Sequence, residues 1–146
     1  MKLVVGTASL IHSLDSVALA EELNKEAKKR GIRIGALIEI NSAREESKGG
    51  IDPDYAEEFF LSLKEFDHLD IRGIMTMGPA IEDKEAVRPY FKKTKEIFDK
   101  INAQYGFSGE PILSMGMSGS YQVAIEEGAN LVRIGRKLFE KEQDKE

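Results

Sequence analysis

Apolar positions along the chain fall into two alternating kinds of run. The short ones are Leu10 to Leu14, Ile34 to Ile40, Ile71 to Met77, Ile112 to Met117 and Leu131 to Ile134. Each is strand length and bounded by Gly, Asn, Asp or Ser. Several are apolar at successive positions, as expected of parallel strands covered on both faces. Helical spacing fills the intervals. Ala20, Leu23 and Ala27 share a face, with Gly31 as the stop signal. Asp52 and Pro53 read as an N-cap and a first-turn proline. Behind them Ala56, Phe59, Phe60 and Leu63 form a stripe, and Val87, Phe91, Thr94, Phe98 and Ile101 form a longer one. Ser120 opens a short helix with Ala124 and Ile125, closed by Gly128. Asp15 or Ser16 caps the first helix. Residues 139–146 form a charged tail expected to fray. Met1 to Gly6 reads equally as a strand or as the end of a preceding helix.

Strict alternation of strand and helix predicts an α/β domain over residues 1–146, with a parallel sheet and crossover helices. Two architectures fit: an open doubly wound sheet, or a partial (β/α)8 barrel of the TIM type. A complete barrel takes about 250 residues, roughly 200 at the low end. Five βα units in 146 residues are too few to close one.

Composition narrows the chemistry. Hydrophobic residues make up 41% and charged residues 32%, a globular balance. The 21 basic and 26 acidic side chains give a net charge of −5, which argues against nucleic acid or an anionic membrane as partner. The absence of cysteine excludes disulfides, thiol catalysis and Cys-based zinc sites. His12 and His68 have no metal-like spacing. With no long apolar run and no signal-peptide pattern, a cytoplasmic location is expected.

The densest chemical signal is Leu113-Ser-Met-Gly-Met-Ser-Gly-Ser-Tyr121. A strand ends near Met117 and a helix begins near Ser120, leaving Ser118, Gly119 and Ser120 in the turn. Free backbone N–H groups, two hydroxyls and a glycine that permits close approach suit an anion. The competing reading is a βα turn with a serine cap that binds nothing. The next strand ends Val132-Arg-Ile-Gly135, which places Arg133 and Gly135 beside that turn if the two strands are neighbours. An arginine there needs an anionic or polar partner. It finds one in a ligand, in Glu126 or Glu127, or in solvent. Lys48 lies in the polar loop Asn41 to Gly50, where a solvated or ion-paired lysine outweighs a catalytic one. His12, Ser13 and Asp15 are sequence neighbours on one strand, so alternation separates them and disfavours a triad. Met75 and Met77 read as core or pocket wall. His68 reads as a surface residue.

Five segments occur in order: Ile11-His-Ser-Leu-Asp15, Glu45-Glu-Ser-Lys-Gly49, Gly73-Ile-Met-Thr-Met77, Leu113-Ser-Met-Gly-Met-Ser118 and Val132-Arg-Ile-Gly135. Together they resemble the YggS/PROSC family of pyridoxal phosphate (PLP) homeostasis proteins. The resemblance implies a barrel like the N-terminal domain of alanine racemase, and PLP binding without a defined catalytic reaction. It implies that Met117, Ser118 and Gly119 cradle the phosphate, with Arg133 and Gly135 beside it. Two departures stand out. Family members begin with further strands that carry a Schiff-base lysine, and no lysine here matches it. The family usually has Asp where this chain has Ser120. The sequence therefore leaves three readings open. One is a truncated PLP-homeostasis protein that holds PLP, or only a phosphate or sulfate anion, without a covalent bond. Another is a half-barrel that forms homo-oligomers through unpaired strand edges and has no functional cofactor. The last is a racemase-type enzyme.

Overall fold

The computed structural model describes residues 10–44, 49–78, 83–117 and 120–133. Its strands are β1 (Leu10–Leu14), β2 (Ile34–Glu39), β3 (Leu69–Thr76), β4 (Ile112–Met117) and β5 (Leu131–Arg133). Its α-helices are α1 (Val17–Arg30), α2 (Ala56–Ser62), α3 (Lys84–Gln104) and α4 (Tyr121–Glu126), with single 3-10 turns flanking α2 at Pro53–Tyr55 and Leu63–Glu65.

All strand pairs are parallel and the sheet order is β1-β2-β3-β4-β5. That order decides between the two architectures. A doubly wound sheet reverses its strand order partway, which puts helices on both faces. A sheet that adds each strand beside the last, through right-handed crossovers, keeps every helix on one face. The protein is a parallel half-barrel of the second kind, and the doubly wound alternative is excluded.

The helical stripes pack as their spacing predicts. Ala20, Leu23 and Ala27 of α1, Ala56, Phe59 and Phe60 of α2, Leu63 just beyond it, and Val87, Phe91, Phe98 and Ile101 of α3 join one core. Thr94 is buried on the α3 stripe and returns its hydroxyl to the Tyr90 carbonyl at 2.9 Å. Strand residues, among them Ile11, Leu14, Ala36, Ile38, Ile74, Leu113 and Met115, join the same core. Leu37 and Met75 are also completely buried but stand outside this cluster. In α4 the buried pair is Val123 and Ala124, while Ile125 is exposed.

Local chemistry fixes the ends of the elements. Ser16, not Asp15, caps α1: its hydroxyl accepts from the Leu19 N–H at 3.1 Å. Gly31 ends that helix in the left-handed conformation, φ 68°. Asp52 accepts from the Asp54 N–H and Pro53 follows it, as the sequence indicates, although the turn they open is 3-10. Between β2 and β3 the register jumps from Ala36↔Ile71 to Leu37↔Gly73, so Arg72 is the extra residue of a bulge. Among the described residues no helix is long and apolar enough to cross a membrane.

Candidate functional site

The C-terminal ends of β4 and β5 lie side by side. Ser114 pairs with Leu131 and Met117 with Arg133, with a register shift between the two pairs. Gly116 sits inside that shift with φ 92°, a conformation that glycine adopts without strain. Adjacent strands are about 4.8 Å apart, so Met117 and Arg133 mark one locus at the sheet's C-terminal edge. The N-terminal ends of the same strands are clamped by Asn130. Its side chain accepts from the Leu113 N–H at 2.8 Å and donates to the Pro111 carbonyl at 2.9 Å. Its own N–H donates to the Leu113 carbonyl at 3.0 Å.

Ser120 is the N-cap of α4, as the sequence indicates, and its carbonyl accepts the Ala124 N–H at 3.1 Å. Its hydroxyl makes no cap bond to its own helix, although the residue is not without a partner. Of the other residues expected at the site, Ser118, Gly119 and Gly135 lie outside the described residues, and Met117 and Arg133 are described by their backbones. Lower on β4, Ser114 is completely buried and its hydroxyl has no hydrogen-bond partner.

The far end of α4 holds a residue that sequence reading missed. Arg88 of α3 donates to Glu126 and Glu127, each at 2.6 Å, and to both carboxylate oxygens of Glu85 at 2.8 and 2.9 Å. These bonds, Glu85 first, then Glu126 and Glu127, hold the Arg88 proton more tightly than usual. The Glu85 carboxyl is correspondingly pulled below its ordinary range, chiefly by its hydrogen bond from Arg88. The sequence offered Glu126 and Glu127 as partners for Arg133; in the structure both hold Arg88. The only local signal for Arg88 was its i,i+3 spacing from Glu85.

The remaining candidates separate. Asp15 accepts from the Gly50 N–H at 3.1 Å and so fastens the loop after β2 to the end of β1. That loop closes on itself through an Ile40↔Ile51 bridge. Thr76, buried at the end of β3, donates its hydroxyl to the Ile40 carbonyl at 2.8 Å, and its oxygen is within hydrogen-bond distance of the Ser42 hydroxyl at 3.0 Å. Met77 lines a small cleft there with Glu39, Asn41 and Ser42. Ser13 is exposed, the His12 side chain is outside the described region, and Lys48 is too. His68 is half-buried rather than free at the surface. Its N–H donates to Asn24 at 2.8 Å and its ring Nδ1 lies 3.0 Å from the Ile32 carbonyl. Among the described residues no cluster of acidic or histidine side chains could hold a metal.

Against known proteins, the family model described as alanine racemase, N-terminal domain, matches residues 2–142. The chain belongs to this family. It is 45% identical over 139 residues to the pyridoxal phosphate homeostasis protein of Aquifex aeolicus, covering 95% of this chain and 60% of that protein. To the protein of the same name from Helicobacter pylori strain 26695 it is 40% identical over 132 residues, covering 90% and 57%. The chain thus spans less than two thirds of the length of these relatives. The names of these relatives agree with the resemblance that the five sequence segments carry. Among solved structures, PipY of Synechococcus elongatus without PLP superposes with a TM-score of 0.85 at 28% identity, over 94% of this chain and 64% of that one. PipY with PLP bound gives 0.81 at the same identity and coverage. Alanine racemase of Clostridium difficile, at 20% identity and TM-score 0.71 over 94% of this chain and 34% of that one, shares the fold.

Proposed function

We propose that this chain binds PLP by its phosphate and serves PLP homeostasis, with the phosphate held at the C-terminal ends of β4 and β5. The observation that carries the reading is the Met117↔Arg133 register. It brings an arginine position beside the end of the strand that leads into the Ser118 to Ser120 turn. The donor set suits the group. A turn entering a helix offers backbone N–H groups, serine hydroxyls add donors, and a guanidinium matches phosphate oxygens with two parallel bonds. Met117, Ser118, Gly119 and Ser120 would hold the phosphate from one side, with Arg133 and Gly135 on the other. The bound group would contribute an amine-reactive aldehyde on a pyridine ring. The PLP in the PipY structure and the names of the relatives support the same ligand for this chain.

Titration of the protein with PLP, followed by ligand fluorescence, tests the reading. Saturable binding is expected, with inorganic phosphate competing. Arg133→Ala should weaken it about tenfold, the scale of one lost charge-assisted contact. Equal affinity in that variant, or no saturable binding by the parent chain, would sink the proposal.

Self-association is a second reading, favoured by the sheet edges. Among the described residues β1 bonds only to β2, and β5 only to β4. Such edges invite pairing with another copy. Sedimentation of the 146-residue chain decides it: a dimer supports edge pairing, and a folded monomer removes it.

A further inference from the structure

Arg72, the bulge residue of β3, lies under the loop that leads into β4. The Ser108 N–H donates to the Ile71 carbonyl at 2.9 Å and ties that loop to the bulge. Gly109, at φ 67°, then packs so closely that a Cβ there would sit 3.2 Å from the Arg72 Nε. Nε is sealed from solvent without a hydrogen-bond partner. Among the described residues no carboxylate forms an ion pair with Arg72. A guanidinium held in place without a partner is costly, so the terminal nitrogens call for one from outside the fold.

Arg72 lines a pocket of about 310 Å³, at the lower end of the size of small-molecule sites. The walls are chemically mixed. Pro111, Ile112 and Leu131 are apolar, and Glu110 adds an exposed carboxylate that does not close on Arg72. Asn130 fixes the far wall, because its side chain bonds to both the Leu113 N–H and the Pro111 carbonyl. Ile112 and Leu131 open β4 and β5, so the pocket lies at the opposite end of these strands from Met117 and Arg133.

We propose that this pocket binds a small amino acid with an apolar side chain, its carboxylate on Arg72, its ammonium on Glu110 and its side chain on Ile112 and Leu131. A guanidinium matches a carboxylate with two parallel bonds. A ligand with a carboxylate alone would meet Glu110 as a like charge, and an amine alone would meet Arg72 as one. The zwitterion satisfies both. The site owes nothing to the phosphate reading.

Three probes are titrated into the 146-residue chain and followed by amide NMR shifts. They are L-leucine, isocaproate, which lacks the ammonium, and isoamylamine, which lacks the carboxylate. Leucine should shift the amides of Glu110, Ile112 and Leu131 saturably at about millimolar concentration. Each of the other two should bind about tenfold more weakly. Glu110→Gln should weaken leucine about tenfold while isocaproate binds no worse than to the parent chain. Arg72→Gln should weaken leucine and isocaproate while isoamylamine binds no worse. Absence of saturable shifts with leucine overturns the inference, whether the pocket stays empty or another copy covers it. Equal binding of leucine and isocaproate overturns it too, since no ammonium is then recognised. If Arg72→Gln does not fold, the exposed Glu110 carries the test, and unchanged leucine affinity in Glu110→Gln refutes the proposal.

Discussion

At the residue scale the tightest constraint is Gly73. There β3 lies so close to β4 that a Cβ on Gly73 would sit 1.8 Å from the Ile112 carbonyl oxygen. Relief would require moving a strand, not a side chain. Gly73→Ala should therefore cost about 3 kcal/mol or more, the upper end of overpacking penalties. Gly31 provides the contrast. A Cβ there meets nothing within 4 Å, and only the left-handed φ is costly. Gly31→Ala should lose about 1 kcal/mol. Urea denaturation of both variants checks the order, and equal losses would show that the sheet yields at Gly73. Sequence reading reached Gly31, because a glycine closing a helical stripe is a local signal. It could not assign Gly73 this role, because the offending atom belongs to a strand 39 residues away, where Ile112 pairs with Gly73. Arg88 was illegible for the same reason, its partners Glu126 and Glu127 being 38 and 39 residues distant.

At the element scale the helical stripes were legible because each is written in consecutive turns. Their buried faces contain the residues that periodicity selected, from Ala20 through Ile101. Caps were legible less finely. Asp15 and Ser16 both suit an N-cap, and only the structure shows that Ser16 bonds to Leu19 while Asp15 reaches across to Gly50. Ser16→Ala should cost about 1 kcal/mol by removing the acceptor for a first-turn N–H. Asp15→Ala should act differently. It should speed amide exchange at Gly50 and Ile51 in the loop while leaving α1 protected. Exchange measured through α1 and the loop separates the two, and accelerated exchange throughout α1 in Asp15→Ala would contradict the assignment. The elements of the candidate site were legible as a pair, β4 and β5, but their adjacency was conditional until the strand order was known.

At the scale of the whole molecule, stability should depend on pH through the joint between α2 and α3. The Tyr105 hydroxyl donates to Glu57 at 2.6 Å, and Lys100 approaches the same carboxylate at 3.2 Å. Tyr105 first and Lys100 second hold the Glu57 carboxyl below its ordinary value of 4.5. A lowered carboxyl contributes stability that is complete above 4.5 and is lost as pH falls through the lowered value. The same bond raises Tyr105 above 10.0, so its share is present below that pH and is lost as pH rises through the raised value. Melting temperature against pH should therefore fall on both sides, and Tyr105→Phe should flatten both arms. An unchanged alkaline arm in that variant would assign the dependence elsewhere. The sequential strand order has a consequence for how the chain acquires its shape. Among the described residues every ladder joins one βα unit to the next, so there no early strand waits for a late one. Structure can then grow unit by unit behind the ribosome, each new strand docking on a template already made.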